Sequence, residues 1–513
     1  MSRTSRAIKG TLTSFLQYGL QIVLQALLAP LVLRVAGQET LGAYAILLQA
    51  IGFISLVDFG FAAAGNRYLA QACGFDDGGL RLRQVMSTMR TYTIFIHLVT
   101  SSLCILLSIW IGPLLSLSPA IRSEAQTALY LMAAWVMLRT PVVIYGVSLV
   151  GTQNLAAANL ISILGNIVRL SLSLCLVALG MGLVGLMAAN ILAEALALTL
   201  HAWVFHRRFP GIRLVWGFPD PNLFKEMFNF GTKAFLLMIA GRLIFQSDNL
   251  VAGYLYGAVA ASIYYTTQMP AFFLSQLVNR LTDNSGPAIN ELYARGITES
   301  LRSAFLRLHR YNWILAIPAG LGLFFLGKPM IILWVGPAQF GGDWMVAALA
   351  LFVVIFSIVN INKTLIIASG QIGILSIFAL VEGVVNLVLS LILGHYLGLA
   401  GIIWATLIAN IPTSLYLLGR SQHLLKVTIG EYSREVLKPL LIPLSMGIAT
   451  FLIMKEIILV NAWGPFVLIA FIFLLIYSVL SYRLSIDRTE RLLLNNILLG
   501  FSRGINPLKV TGQ

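Results

Sequence analysis

Charged residues are scarce in this chain of 513 residues. They make up 10% of the sequence, whereas hydrophobic residues make up 58%. Soluble domains carry about 25% charged residues, so this composition excludes an ordinary water-soluble protein. The charge that is present is uneven, with 34 basic and 19 acidic residues and a net charge of +15.

Cysteines, histidines and the short motifs of known enzymes are also few or missing. The three cysteines, Cys73, Cys104 and Cys175, fall in or beside hydrophobic runs and form no CxxC pair, so the sequence predicts neither a disulfide framework nor a metal site. The six histidines are scattered, and the patterns GxxxxGK[ST], HExxH and GxSxG do not occur. We expect a protein that is not an enzyme and holds no cofactor or metal.

Long apolar runs, by contrast, follow one another along almost the whole chain. A run of about 20 apolar residues crosses a bilayer as a helix, and the gaps between the runs are too short for a soluble domain. Prolines such as Pro141 interrupt several runs and favour helices that bend. The sequence predicts about fourteen spans, at residues 11–35, 41–69, 91–115, 125–150, 156–179, 183–205, 228–252, 258–282, 311–333, 344–368, 371–394, 398–419, 439–459 and 463–482.

The basic residues fall in alternate gaps between these runs. Lysine and arginine favour cytoplasmic loops, and a cytoplasmic N-terminus places most of the 34 basic residues inside. Only Arg34, Arg122, Lys328 and Lys455 then fall outside. This pattern predicts an even number of spans with both termini cytoplasmic. The net positive charge therefore indicates topology and attraction to anionic lipids rather than nucleic-acid binding.

Two basic segments at the predicted inner face alternate with apolar residues. They are residues 285–310 and the tail segment 488–501. The pattern of each is typical of an amphipathic helix against the lipid headgroups, or of a plain connector at the interface.

The chain repeats itself at an offset of about 220 residues. Gly37 precedes Tyr44 after the first run, and Gly257 precedes Tyr264 by the same distance after the seventh. Gln153 and Gln371 end the fourth and tenth runs, and the GLxG segments at 182–185 and 398–401 occupy matching turns. We predict an N-terminal six-helix lobe (1–225), a C-terminal six-helix lobe (226–420), two additional spans (421–483) and a cytoplasmic tail (484–513), with substrate held between the lobes.

Several charged residues lie inside the predicted spans, where a charge costs at least about 2.5–3.5 kcal/mol. Arginine matches a diphosphate through its planar fork, so the basic residues are predicted to bind an anionic substrate, although Lys233 is also placed to reach the inner interface. Buried carboxylates can load and release a proton or simply pair helices. The predicted substrate-binding residues are Arg139, Arg169, Arg242, Lys233 and Lys363, and the predicted ion-coupling or helix-pairing residues are Asp58, Glu194, Asp248 and Glu382.

Three stretches resemble bacterial polysaccharide transporters. Residues 41–71 resemble their second helix, in which a glycine–tyrosine turn leads to Asp-x-Gly and an Arg-Tyr pair, here Arg67 and Tyr68. Residues 141–161 resemble the end of their fourth helix, and 246–265 the start of their second half. Over about residues 8–420 the chain is similar to the Wzx-type flippases of the multidrug, oligosaccharidyl-lipid and polysaccharide exporter superfamily.

This resemblance implies a MATE-like, two-lobed transporter of the bacterial inner membrane that works by alternating access. It implies a flippase that moves undecaprenyl-diphosphate-linked oligosaccharide from the inner to the outer leaflet, for O-antigen, capsule or exopolysaccharide assembly. A coupling ion (H⁺ or Na⁺) and the polysaccharide polymerase machinery are the further partners expected.

The sequence also leaves other functions open. A multidrug or cation antiporter of the same superfamily would need an acidic cavity, whereas the spans hold slightly more basic than acidic residues. A lipid II flippase is hardly separated from the main prediction. A membrane polymerase, ligase or glycosyltransferase would need larger outer loops, and a receptor or scaffold would leave the charges in the spans unexplained.

Overall fold

The computed structural model describes residues 3–73, 79–114, 117–152, 154–212, 220–457, 460–487 and 490–491. Within these residues the chain forms helices and no β-strand. The first eight are α1 (Arg3–Val35), α2 (Gly37–Ile54), α3 (Phe61–Ala72), α4 (Leu80–Leu114), α5 (Pro119–Leu138), α6 (Val143–Gly151), α7 (Leu155–Ala178) and α8 (Gly182–Arg208). The others are α9 (Pro221–Phe245), α10 (Asp248–Ala294), α11 (Thr298–Val335), α12 (Asp343–Ala368), α13 (Ile372–Leu397), α14 (Leu399–Leu425), α15 (Ile429–Tyr432), α16 (Leu441–Ile457) and α17 (Trp463–Leu484).

These helices account for all the predicted spans. By length and composition, twelve helices in the described residues can cross a membrane, or thirteen if the bent pair α5 and α6 is one span. The stretch Pro221–Ala294 counts once in that number, although it contains α9 and α10 and two of the predicted runs. The prediction of an all-α membrane protein with about fourteen spans is confirmed.

The second predicted span is broken rather than continuous. After a 3-10 turn at Ser55–Asp58, Phe59 and Gly60 take left-handed φ values of 48° and 73°, which end α2 and redirect the chain into α3. Glycine adopts this conformation without a steric penalty, whereas phenylalanine adopts it at a steric cost. Asp58, which lies in this run, did not indicate the break in the sequence. Its contact is local, since Asp58 Oδ2 accepts a hydrogen bond from the Ala62 amide at 2.9 Å.

The fourth span bends where its proline predicts. α5 ends at Leu138, Arg139–Val142 form turns around Pro141, and α6 leaves at 63° to α5. Proline removes a backbone donor and disfavours a helical residue before it. Arg139 therefore lies at the bend and not in the middle of a straight helix.

Glycines at matching positions of the sequence repeat share a positive φ. Gly37 and Gly257 have φ values of 85° and 80°. Gly182 and Gly398, at the second pair of turns, have φ values of 45° and 69°. The Gly257 break separates a short first part of α10 from the long remainder. Gln153 lies outside the described residues.

The chain divides into two compact units. The first comprises Met1–Thr267 and Ser376–Ala409. One of its apolar cores is formed where α3, α4, α6, α8 and α9 pack, and it includes Phe61, Met86, Leu149, Phe205 and Met227. The predicted lobe boundaries stay a prediction.

The second unit comprises Gln268–Leu375 and Asn410–Gln513. In it, α16 and α17 pack on α11 through Phe451, Phe473 and Tyr477. The predicted amphipathic segment 285–310 is not one helix, because α10 ends at Ala294 and the chain turns through Gly296 (φ 68°) into α11. Of the predicted segment 488–501, only residues 490–491 are described.

Candidate functional site

A cavity of about 400 Å³ with both apolar and polar lining residues lies within the first unit. Five helices contribute to its wall: α1, α2, α5, α7 and α8. Its size lies in the range of about 300–1,000 Å³ that is typical of ligand pockets. Its polar lining residues are Gln17, Gln21, Ser162, Asn166, Arg169, Asn190 and Glu194.

Helical spacing explains why these side chains share one cavity. Residues three or four positions apart lie on one face of a helix. Gln17 and Gln21 are so related on α1, as are Asn190 and Glu194 on α8. On α7, Ser162, Asn166 and Arg169 follow one another at the same spacing. Three polar helix faces thus line the same space.

Glu194 is held by Trp135 of α5 and by Arg139 in the turn that follows α5. Its Oε1 lies 2.6 Å from Arg139 Nη1, and its Oε2 accepts a hydrogen bond from Trp135 Nε1 at 2.7 Å. The Arg139 and Glu194 side chains are 21% and 34% exposed. The carboxylate is therefore neutralised by a cation that sits behind it at the α5–α6 bend.

Arg169 is placed differently. Its Nη2 donates to Asn166 Oδ1 at 2.9 Å, on its own helix. Across the part of the chain that the structure describes, no carboxylate lies within ion-pair distance of Arg169. Tyr44, whose hydroxyl accepts a hydrogen bond from Asn190 Nδ2 at 3.0 Å, and Tyr265 interact with it electrostatically. The cavity therefore carries an excess positive charge.

Arg242 and Lys363 are not among the described residues that line this cavity. Arg242, on α9, hydrogen-bonds through Nη1 to Gln246 Oε1, and both side chains lie against Gly52 of α2. Lys363 belongs to the second unit, with Nζ 5.8 Å from the ring centroid of Phe356. The Lys233 side chain lies outside the described residues.

Two of the predicted acidic residues are buried away from the cavity. Asp248 is 1% exposed and Glu382 is 3% exposed. Asp248 Oδ2 accepts a hydrogen bond from Tyr264 at 2.8 Å. No described lysine or arginine forms an ion pair with Asp248. Of the nine predicted site residues, the structure thus gathers Arg139, Arg169 and Glu194 at one place.

A family model described as "Polysaccharide biosynthesis protein" matches residues 7–291, more than half of the chain. The chain belongs to this family. The resemblance inferred from the three stretches of sequence is therefore confirmed. The match covers every described residue that lines the cavity.

Among curated proteins, this family member is similar to the teichuronic acid biosynthesis protein TuaB of Bacillus subtilis (strain 168). The two are 25% identical over 242 residues, which is 44% of this chain and 47% of TuaB. The chain thus spans about half the length of that curated relative.

Two solved structures share its fold. The lipid II flippase MurJ in an inward closed conformation matches with a TM-score of 0.70 and 16% identity, over 92% of this chain and 98% of MurJ. A multidrug resistance MATE family transporter of the MOP superfamily, in its inward-facing conformation, matches with a TM-score of 0.64 and 18% identity, over 80% of this chain and 96% of the transporter. The MATE-like fold is confirmed.

The family and the apolar helices together indicate a multi-pass membrane protein of the polysaccharide biosynthesis family. In the described residues, no group of three His, Cys, Asp or Glu side chains is placed to hold a metal ion.

Sequence reasoning missed the uncharged members of the site. It singled out charges in the spans and overlooked Gln17, Gln21, Asn166 and Asn190, which carry no net charge. The signal was present, since amides four residues apart on a membrane helix mark a polar face just as charges do.

Proposed function

We propose that this polysaccharide biosynthesis protein is a flippase for undecaprenyl-diphosphate-linked oligosaccharide. It moves this substrate from the inner to the outer leaflet by alternating access, for the assembly of O-antigen, capsule or exopolysaccharide. Membership of the family and the shared fold with a lipid II flippase support this proposal.

The observation that carries the proposal is the charge balance of the cavity. Arg169 and Glu194 are its charged lining residues, and Glu194 is already neutralised by Arg139. An anionic group entering the cavity therefore meets a guanidinium that has no carboxylate partner among the described residues. Such a group forms charge-assisted hydrogen bonds with the planar fork of arginine, as a diphosphate does.

The same balance disfavours a cationic drug as substrate. A cation would need a carboxylate free to receive it, and the carboxylate of this cavity is engaged by Arg139 and Trp135. A lipid II flippase would use the same diphosphate contact, so the two lipid-linked substrates are separated by experiment below.

Asp248 is the best placed group for a coupling ion. It is buried in the first unit, has no cationic partner among the described residues and contacts the Tyr264 hydroxyl. A carboxylate in that setting gains from binding a proton or a sodium ion. We assign it the coupling role, with H⁺ or Na⁺ as the ion.

The proposal includes a topology with both termini in the cytoplasm, where basic loops meet anionic lipids and the tail is accessible to polymerase machinery. Single cysteines introduced at exposed positions test this topology, because an impermeant thiol reagent labels only those outside sealed cells. We expect labelling at the exposed Ala338 and none at the exposed Glu299. Labelling at residue 299 alone would reverse the orientation.

The function is tested by flux measurements in proteoliposomes, expressed per folded protein molecule. Arg169→Ala should reduce flipping of undecaprenyl-diphosphate-linked oligosaccharide by about tenfold or more, because a hydrogen bond to a charged group contributes about 1.5–3 kcal/mol. Arg169→Lys should recover part of the flux. Arg295→Ala, which removes an arginine whose side chain is 65% exposed, is the matched control and should leave the flux unchanged.

Parallel assays with lipid II and with a cationic drug decide between the alternatives. We expect flux of the oligosaccharide lipid to exceed that of both. In cells, deletion of the gene should abolish surface polysaccharide without changing drug resistance. Normal flux of the oligosaccharide lipid in Arg169→Ala, or transport of the cationic drug instead of that lipid, would refute the proposed function.

A further inference from the structure

We propose that the cavity of the first unit contains a carbohydrate subsite, in which Gln17 and Gln21 bind hydroxyl groups of the sugar next to the diphosphate. This inference rests on the proposed function, because it places the diphosphate at Arg169. It adds the residues that distinguish a sugar-bearing lipid from a bare lipid diphosphate.

The lining of the cavity has the chemistry that a sugar needs. Sugar hydroxyls both donate and accept hydrogen bonds, and an amide side chain offers two donors and an acceptor at one position. Four amides, Gln17, Gln21, Asn166 and Asn190, face the same cavity. A cavity meant only for phosphate would need donors, and one meant only for a lipid chain would need neither donors nor acceptors.

Two of these four amides have hydrogen-bond partners within the described residues, and two do not. Asn190 donates to the Tyr44 hydroxyl and to the Leu186 carbonyl, and Asn166 accepts from Arg169. Gln17 and Gln21 have no hydrogen-bond partner within the ranges of the chain that the structure describes, and both side chains are only partly exposed. Polar groups in a membrane protein normally have hydrogen-bond partners. Two amides that face a cavity without such a partner among the described residues therefore indicate a ligand.

The carboxylate of Glu194 is held in a fixed position at the cavity wall. Arg139 and Trp135 hold Glu194 from behind, which leaves the remaining lone pairs of its oxygens available to the cavity. A neutralised and oriented carboxylate is a good acceptor for a sugar hydroxyl and repels a neighbouring phosphate less than a free one. Glu194 is thus a positioned acceptor of the subsite.

Distance along α7 leaves room for both parts of the substrate. Ser162 and Arg169 lie seven residues apart, which is roughly 10 Å along a helix. The diphosphate occupies the Arg169 end, and the sugar extends past Asn166 towards Ser162, opposite the two glutamines of α1.

The test compares two ligands on one protein. The probes are undecaprenyl diphosphate and undecaprenyl diphosphate bearing one N-acetylglucosamine or one galactose, and binding is measured on full-length protein in nanodiscs. The double variant Gln17→Ala/Gln21→Ala should weaken binding of a sugar-bearing probe by about tenfold, as the loss of two hydrogen bonds predicts, and leave the bare diphosphate unchanged. Arg169→Gln should weaken both probes alike.

Two further variants control for a loss of folding and for the position of the amide that is removed. Gln17→Met/Gln21→Met keeps side-chain length and should show the same selective loss, even if the alanine pair does not fold. Gln126→Ala removes an amide outside the cavity, which donates to the Ser108 carbonyl at 3.1 Å, and should not alter the preference for sugar.

The outcomes separate this inference from the proposed function. Equal loss for both probes, or no loss, in the glutamine variants would overturn the carbohydrate subsite. Selective loss in those variants together with normal binding of both probes by Arg169→Gln would support the subsite and refute Arg169 as the diphosphate contact.

Discussion

Glu194 Oε1 lies 2.6 Å from Arg139 Nη1, and this contact joins α8 to the point where the fourth span bends. Trp135, one turn before Arg139, donates to the same carboxylate. The pair therefore does two things at once: it fixes the end of α5 next to the Pro141 turn, and it cancels the negative charge of the cavity wall. Arg139 thus lies beside Glu194 and is not among the described residues that line the cavity.

The first prediction concerns this pair. Arg139→Ala leaves Glu194 with one partner and should lower the free energy of unfolding by about 1.5–3 kcal/mol, towards the lower end because both side chains are partly exposed. Arg139→Ala/Glu194→Gln should recover most of that loss. Thermal unfolding in detergent, with protein yield as a second measurement, checks both. Additive losses in the double variant would show that the pair is not coupled.

Much of the fold could be predicted from the sequence, because an apolar run of spanning length admits little besides a helix. The breaks were harder to predict. Pro141 predicts a bend because proline has no backbone N–H to donate. The break at Phe59 and Gly60 instead depends on a left-handed phenylalanine, which no local sequence rule favours. Gly60 was visible in the sequence, but its close approach to the Gly231 carbonyl is a tertiary contact.

The second prediction concerns a similar close approach in the first unit. A β-carbon on Gly42 of α2 would lie 1.7 Å from the carbonyl oxygen of Ala258, so Gly42→Ala must push the two backbones apart. We expect a loss of about 1–3 kcal/mol, the usual cost of overpacking. Gly241→Ala on α9 is the matched control, since no described atom lies within 4 Å of the position that its added methyl group would take, and alanine favours a helix. Equal melting temperatures for the two variants would contradict the contact.

The candidate site was only partly predictable. Charged residues in spans attract attention because each must have a reason to be there, and three of the predicted residues do meet. The sequence alone could not predict which arginine neutralises which carboxylate. Arg139 and Arg169 have the same chemistry and similar predicted depth, and only the packing of α5 on α8 sets one beside Glu194 and leaves the other facing the cavity.

The third prediction concerns ion coupling. Asp248→Asn keeps the size of the side chain and removes its charge, so flux driven by an imposed pH or Na⁺ gradient should be lost while exchange without a gradient persists. Tyr264→Phe removes a hydrogen bond to the same carboxylate and should cost about 1 kcal/mol of stability without abolishing the gradient response. Proteoliposomes with each gradient applied separately identify the ion. A full gradient response in Asp248→Asn would exclude this residue from coupling.

The fourth prediction concerns the second unit, where the chain after α17 is tied to α11. Arg310 Nη2 lies 2.7 Å from both carboxylate oxygens of Glu490, and the two side chains are each 5% exposed. Asp487 lies 3.1 Å from the same nitrogen but is 63% exposed. Removing one partner of a buried pair leaves an uncompensated charge, so Arg310→Ala should cost about 3–5 kcal/mol.

Asp487→Ala is the matched control for that variant, because an exposed ion pair contributes only about 0–1 kcal/mol. Arg310→Met/Glu490→Leu should restore the stability lost in Arg310→Ala, since apolar residues of similar volume can replace a buried ion pair. Chemical unfolding measures the free energies, and limited proteolysis after α17 reports whether the segment is released. If Asp487→Ala and Arg310→Ala lower stability equally, burial is not what makes the Glu490 contact strong. The chain directly after α17 is then held by other contacts, such as the hydrogen bond that Ser485 Oγ donates to the Pro439 carbonyl at 2.7 Å.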